Sequence, residues 1–306
     1  MKRGNAGGNG PSKKKKKNQA FKYAQAFKHS KLFINPDEKN GGFLITFDTK
    51  FITVGINEAL KVLGFFADKF YGPYKLLLPK ETEEEKAKKK DRSFIPPVIE
   101  DAETKKKKAE EEKEGNGEKK EVEMELREVR RFHIYESGVA GIMAFKLVDP
   151  AIDPVVLAKQ MCDCILSKDA EALELLGKLK SLNRLVPVDI FCPANDADVK
   201  AKAGPIIAKT LGPDAKPPRK FAIAIKTRGN ANFPRKEAIE VLASTVDPSH
   251  KVDLSNPDVY IVADVFKSCC SVTVTEDYER YKKYNLHELL ALAQPKDDAP
   301  KEDKKE

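Results

Sequence analysis

Eight residues, Val259 to Phe266 (VYIVADVF), constrain the fold of this chain more than any other stretch. Apolar, β-branched and aromatic side chains run through them almost unbroken, with Asp264 the one carboxylate. Such a run suits a central strand covered on both faces. Just beyond it, Val272 and Val274 alternate with Ser271, Thr273 and Thr275, which predicts a strand with one face wet. Asn256-Pro257 supplies turn chemistry in front of the pair.

The remaining segments show what surrounds that core. Gly42 to Phe51 reads as a strand. Ile56 to Tyr71 reads as a helix, with Leu60, Leu63, Phe66 and Phe70 on helical spacing and Gly72-Pro73 as its stop. Two strands, Arg127 to Tyr135 and Gly141 to Val148, follow across the turn Glu136-Ser137-Gly138. Asp153-Pro154 opens a helix as N-cap and first residue, and Val155, Ala158, Cys162 and Ile165 share one of its faces. A second helix is expected over Lys168 to Leu182, then a strand from Leu185 to Phe191. Val199 to Leu211 predicts a helix that Gly204-Pro205 should kink or interrupt. Phe221 to Lys226 reads as a strand and Arg235 to Val246 as a helix. The fold class is therefore α/β (α+β), two sheet-bearing domains with helices packed on them, and the boundary is expected near Asp149-Pro150.

Composition adds limits on function. The net charge of +8 is concentrated in residues 1–31, which hold ten Lys or Arg and no carboxylate, so the other residues sum to −2. The basic pI thus belongs to the N-terminal arm, with its run Lys13 to Lys17, and does not make the folded surface basic. That run suits a nuclear-localisation patch, a nonspecific RNA-binding arm or a solubilising tail. Residues 80–121 are a nearly balanced block of lysine and glutamate, expected as a surface insertion. After about Leu292 a charged tail is expected. No stretch approaches the length of a membrane span, no apolar signal core follows the basic start, and five cysteines without one suit reduced thiols inside a cell.

Catalytic patterns do not emerge. The chain has no Gly-x-Gly-x-x-Gly, no phosphate-binding Gly-Lys-Ser/Thr loop and no serine nucleophile elbow. Its four histidines, His29, His133, His250 and His287, are scattered, and neither Cys162-x-Cys164 nor Cys269-Cys270 has zinc-knuckle spacing. Those thiols are expected to pack as small hydrophobes, with no metal, no cofactor and no small-molecule substrate.

The informative patch is residues 216–236, with seven Lys or Arg and no carboxylate. Arg219 and Lys220 precede the strand, Lys226 and Arg228 follow it, and Asn230, Asn232, Arg235 and Lys236 line the turn into a helix. Cations, amides and a helix N-terminus suit phosphate oxygens, although a solvated basic turn looks the same in sequence. Further on, Tyr278, Tyr281 and Tyr284 recur every third residue among basic side chains. Packing against the domain is the favoured role for such a stripe. A docking role for a partner would fall to Tyr281, Lys282, Lys283 and Tyr284.

These same residues carry a family resemblance. VDLSNPDVYIVADVFKSCCSVTV resembles the C-terminal signature of THUMP domains, and AIKTRGNANFPRKEAIEVLA resembles the strand, basic turn and helix before it. GGFLITFD, the helix ending in FYGP and RRFHIYESGVAGIMAFKL are similar to the ferredoxin-like domain that accompanies THUMP. EDYERYKKYNLHEL, with the Cys269-Cys270 pair, looks like the stand-alone eukaryotic THUMP proteins that assist tRNA acetylation. Val262-Ala263-Asp264 stands where the family carries a Val-Glu-Ile element.

The resemblance implies a basic arm over 1–39, a ferredoxin-like domain over 40–150, a THUMP domain over 151–280, and a basic-aromatic helix and tail over 281–306. It further implies a non-catalytic adaptor whose partners are tRNA and an RNA cytidine acetyltransferase. The product would be acetylcytidine in the D-arm of serine and leucine tRNAs, formed in the nucleus or nucleolus, with the cytoplasm as a further location. A catalytic tRNA-modifying enzyme and a general RNA-binding or ribosome-assembly factor are the alternatives.

Overall fold

The computed structural model describes residues 41–79, 124–128 and 131–294, and the arm, the charged block 80–121 and the end of the tail lie outside them. The chain divides into two compact units. The smaller, 73–129, contains β2 (Lys75–Pro79) paired antiparallel with β3 (Met124–Glu128). Sequence reading missed this hairpin, because its strands are short and flank the charged block.

The larger unit begins with β1 (Gly42–Phe47) and α1 (Ile52–Tyr71), followed beyond the hairpin by β4 (Phe132–Glu136) and β5 (Ile142–Leu147). α1 stops at Gly72, whose φ of 70° is left-handed and favours glycine. α2 (Pro154–Leu166) and α3 (Ala170–Gly177) come next, then β6 (Leu182–Val188). The carboxylate of Asp153 accepts from the Val155 and Val156 amides, as its N-cap position requires. The four strands form an antiparallel sheet in the order β4-β5-β1-β6. This is the β-α-β-β-α-β arrangement of a ferredoxin-like sheet.

Two expectations need correction here. The helix expected over Lys168 to Leu182 ends at Gly177, because Leu182 opens β6. The boundary expected near 150 moves to Asp189. β6 pairs with β1 from Gly42↔Val188 to Phe47↔Leu182, so the first sheet is incomplete without residues beyond 151. At Asp189 the chain leaves one sheet for the other, and that carboxylate accepts from Thr273 Oγ1 and the Val274 amide. Burial raises its pKa, against these donors.

The second sheet is built from β7 (Ile190–Pro193), α4 (Asp196–Leu211), β8 (Lys220–Arg228), α5 (Arg235–Ala243), β9 (Lys251–Val252), β10 (Val259–Phe266) and β11 (Cys269–Thr275). Its order is β7-β11-β10-β8-β9, with β10, β8 and β9 parallel. On one face Val199, Ala203, Ile207 and Leu211 of α4 and Ala238, Val241 and Leu242 of α5 pack on Ile261, Ala263 and Val265. On the other, Val262 and Phe266 join the core of the first sheet with Leu157, Leu185 and Tyr281. β10 is thus covered on both sides, as its sequence demands.

β11 is not half-wet. Ser271, Thr273 and Thr275 are all buried, because each hydroxyl has a partner: Asp264 O, Asp189 Oδ2 and Tyr284 Oη respectively. Hydrogen bonding removes the penalty that makes Ser and Thr look like surface residues. Nor does Pro205 interrupt α4, which runs unbroken. A stripe of buried side chains on either side of the proline outweighs one missing backbone bond. The chain closes with a 3-10 turn at Lys282–Tyr284 and α6 (Leu286–Ala293), whose Leu286, Leu289 and Ala293 are buried in the first core. Among the described residues no helix is long and apolar enough to cross a membrane.

Candidate nucleic-acid interface

The eight basic and amide residues expected at one site fall at two ends of the sheet. From Arg219 to Arg228, nine steps at about 3.3 Å place roughly 30 Å between them. Arg219 and Lys220 belong to the entry end and have structural partners. The Arg219 amide donates to His250 Nδ1 and its guanidinium to Glu276 Oε1, at 2.9 and 2.6 Å. The Lys220 amide donates to Asp258 Oδ2 and its ammonium to Asp253 Oδ2, at 2.8 and 3.0 Å. Arg219 and Lys220 thus anchor the start of β8, at the opposite end of the strand from Arg228.

Their clamp is the turn VDLSNPD. Asp253 Oδ1 accepts from the Ser255 and Asn256 amides at 2.9 and 3.0 Å. The Asn256 amide, Lys220 and the Ser255 amide together hold the Asp253 carboxyl at a pKa of about 2. The diagnostic turn before β10 therefore fixes β8, which carries the cations, at its far end.

Lys226, Arg228, Arg235 and Lys236 lie at the other end, where the parallel strands β8 and β10 present their carboxyl ends. Open α/β sheets bind ligands outside this edge. Lys226 and Arg228 stand two residues apart on one face of β8, opposite Asp264 and Phe266 of β10. Arg228 Nη1 donates to the buried Asp264 carboxylate, and this pair fixes the guanidinium. Burial raises the Asp264 pKa, opposed by Arg228, Lys226 and Arg184. Burial also lowers the Lys226 pKa; Asp264 opposes this, while the cations Arg184, Arg228 and Lys283 add to it.

Beyond Arg228 the chain turns at Gly229, whose φ of 61° is left-handed. Asn230 holds that turn. Its Oδ1 accepts from the Asn232 and Phe233 amides, both at 2.8 Å, and its Nδ2 donates to Lys267 O at 2.5 Å. Its side chain is thus committed to shaping the loop, with Phe233 buried as the anchor. Asn232 lies exposed on the same turn.

α5 then opens with Pro234 as N-cap and no side-chain cap bond. Arg235 and Lys236 occupy its exposed first two positions, where the helix dipole favours anions. Among the described residues the Lys236 ammonium pairs with Glu240 alone, at 3.8 Å. The first turn carries two cations and one carboxylate, Glu237, and lacks a side-chain cap, so its free amides and the two cations suit a bound phosphate.

Sequence reading missed Lys267. It sits between β10 and β11 at φ 50° with its amide bonded to Arg228 O, and its side chain lies against Gly229 and Gly138. The signal available was the break after Phe266, since the carboxyl end of a central parallel strand must lie beside that of its neighbour.

The residues offered for partner docking are mostly interior. Tyr281 and Tyr284 are each 1% exposed. Tyr281 Oη donates to Asp163 Oδ1 at 2.8 Å, and Tyr284 Oη pairs with Thr275 Oγ1 at 2.8 Å. Lys282 is half-buried, and Lys283 alone of the four is exposed. The stripe is core packing. Cys162, Cys269 and Cys270 are buried thiols with pKa values raised, chiefly by burial for the first two and by the Cys192 thiol for Cys270. Cys164 is only half-buried. Among the described residues no group of three His, Cys, Asp or Glu side chains could hold a metal ion.

Residues 193–275 match the THUMP domain family. The chain is 28% identical over 251 residues to mouse THUMP domain-containing protein 1, covering 80% of this chain and 63% of that one. Against the cattle protein of the same name identity is 30% over 243 residues, covering 78% and 60%. The chain thus spans about three-fifths of the length of these relatives. A 4-thiouridine synthetase–RNA complex aligns with 47% of this chain and 32% of its own at 10% identity and a TM-score of 0.30, too weak a likeness to bear on function. From Pro193 at the end of β7 to Thr275 at the end of β11, this chain carries a THUMP domain.

Proposed function

We propose that this protein binds tRNA and presents it, without catalysing a reaction itself, to an RNA cytidine acetyltransferase. The observation that carries RNA binding is the uncapped, cationic start of α5 beside Lys226, Arg228 and Lys267 at the carboxyl edge of β8 and β10. Phosphate contacts at this edge would fix the register of the RNA without reading its bases. The reach from there to the modified nucleotide would be set by the shape of the protein and its partner. Such an adaptor raises the effective concentration of substrate at a separate enzyme. The THUMP domain over residues 193–275 supports RNA binding in tRNA modification. The lysine run Lys13 to Lys17 would direct the protein to the nucleus or nucleolus.

The test has two arms. Arg235→Gln with Lys236→Gln should weaken binding of unfractionated tRNA and lower the salt slope by about 1.4 to 1.8, for two phosphate contacts at 0.7 to 0.9 each. Cells lacking the protein should lose acetylcytidine from tRNA, read by nucleoside mass spectrometry, while keeping the acetyltransferase. Unchanged acetylation would end the adaptor reading, and turnover by the purified protein with acetyl-CoA alone would make it an enzyme.

A further inference from the structure

We infer that Lys267 is a positioning residue, through which the ferredoxin-like sheet sets the place of the basic turn at Gly229. The inference rests on the RNA-binding reading above and concerns a contact away from the cationic edge, at the turn between β4 and β5.

The Lys267 side chain is sandwiched between two glycines that belong to different sheets. A methyl group on Gly138, in the β4–β5 turn, would lie 3.1 Å from Lys267 Cγ and 3.6 Å from its Cε. One on Gly229, between β8 and α5, would lie 3.5 Å from Lys267 Cδ, 3.4 Å from Cε and 3.3 Å from Nζ. Carbon atoms in contact prefer about 3.5 to 4.0 Å, so a side chain on Gly138 would push against the stem. Both glycines also have left-handed backbones, with φ of 72° and 61°. The lysine stem thus fills the space between the two turns.

Each turn is fixed by bonds of its own. Ser137 is buried, and its hydroxyl donates to Ile142 O at 2.9 Å and accepts from the Val139 amide at 3.0 Å, which holds the Gly138 turn on β5. On the other side, the Lys267 amide donates to Arg228 O at 3.1 Å, and Asn230 Nδ2 donates to Lys267 O at 2.5 Å. The Lys267 backbone is therefore bonded to the residues on both sides of Gly229. Its own φ of 50° is one that a non-glycine residue keeps only where its surroundings over-determine it. A push on the stem at Gly138 passes through these bonds to Arg228 and Asn230, and so to the turn that leads into Arg235 and Lys236.

The test is a salt titration of unfractionated tRNA binding by the 306-residue protein. Lys267→Met keeps the stem and removes the charge, whereas Lys267→Ala removes both. Lys267→Ala should bind about threefold more weakly than Lys267→Met, an excess that belongs to the stem. Gly138→Asn adds bulk against Lys267 Cγ with little backbone strain, since Asn tolerates left-handed φ. It removes no charge, yet it should lose about threefold in affinity and about 0.7 to 0.9 in salt slope, as one phosphate contact is lost at the displaced turn. A weakened fold by itself would lower the melting temperature and leave that slope unchanged. In the Lys267→Ala background Gly138→Asn should cost nothing further. Equal binding by the Met and Ala variants, wild-type binding by Gly138→Asn, or an equal Gly138→Asn loss in both backgrounds would overturn the positioning role. The RNA reading would still stand if Arg235→Gln with Lys236→Gln weakened binding. Wild-type affinity in all of these variants would overturn both.

Discussion

At the scale of single residues, the polar side chains of the THUMP domain divide by whether the fold has already taken their bonding capacity. Arg219, Lys220 and Asn230 are occupied by Glu276, Asp253 and the Asn232 and Phe233 amides. Arg235 and Lys236 lie exposed on an uncapped helix turn. Asp253 shows what the occupied class contributes. Its carboxyl is held at about 2, below its unfolded value of about 3.9. The stabilisation is therefore complete above pH 4 and lost as pH falls through 2. Asp253→Asn should be less stable than wild type at neutral pH by denaturant midpoint. That gap should close as pH falls from 4 towards 2. A gap independent of pH would mean that the carboxylate charge is not what secures the turn.

Among the elements, α4 shows tertiary packing overriding local preference. Pro205 is exposed in mid-helix and lacks the amide that would bond four residues back. Pro205→Ala should therefore stabilise the protein by roughly 1 to 3 kcal/mol, measured by chemical denaturation. A loss would show that α4 is bent to fit its bed. Helix starts at Asp153 and strand content at Val259–Phe266 were legible because cap chemistry and an unbroken apolar run are local signals. The buried hydroxyls of β11 and the end of α3 were not. Thr273 looks like a surface residue until Asp189, 84 positions away, accepts a hydrogen bond from its hydroxyl. Leu182 continues a helical leucine pattern until β1 claims it as a strand partner.

For the molecule as a whole, the switch at Asp189 divides the labour. β1 is a central strand between β5 and β6, and β6 is contributed from beyond the boundary that the sequence suggests. A fragment starting at residue 151 would leave β6 without its neighbour and expose Leu182 and Leu185, which are now fully buried. Such a fragment should aggregate or unfold without cooperativity, whereas residues 41–294 should unfold in a cooperative transition followed by circular dichroism. A soluble, cooperative 151–306 fragment would return the boundary to 150.

The sequence by itself determined the class of fold, the doubly covered β10, the basic turn at 226–236 and the resemblance to THUMP domains, because each is written in neighbouring residues. It could not separate Arg219 and Lys220 from Arg235 and Lys236, since charge along a strand does not tell which cations meet a carboxylate. Nor could it carry β6 across to β1. Only the tertiary structure decided both, by packing the first sheet, the second sheet and the closing turn around one shared core.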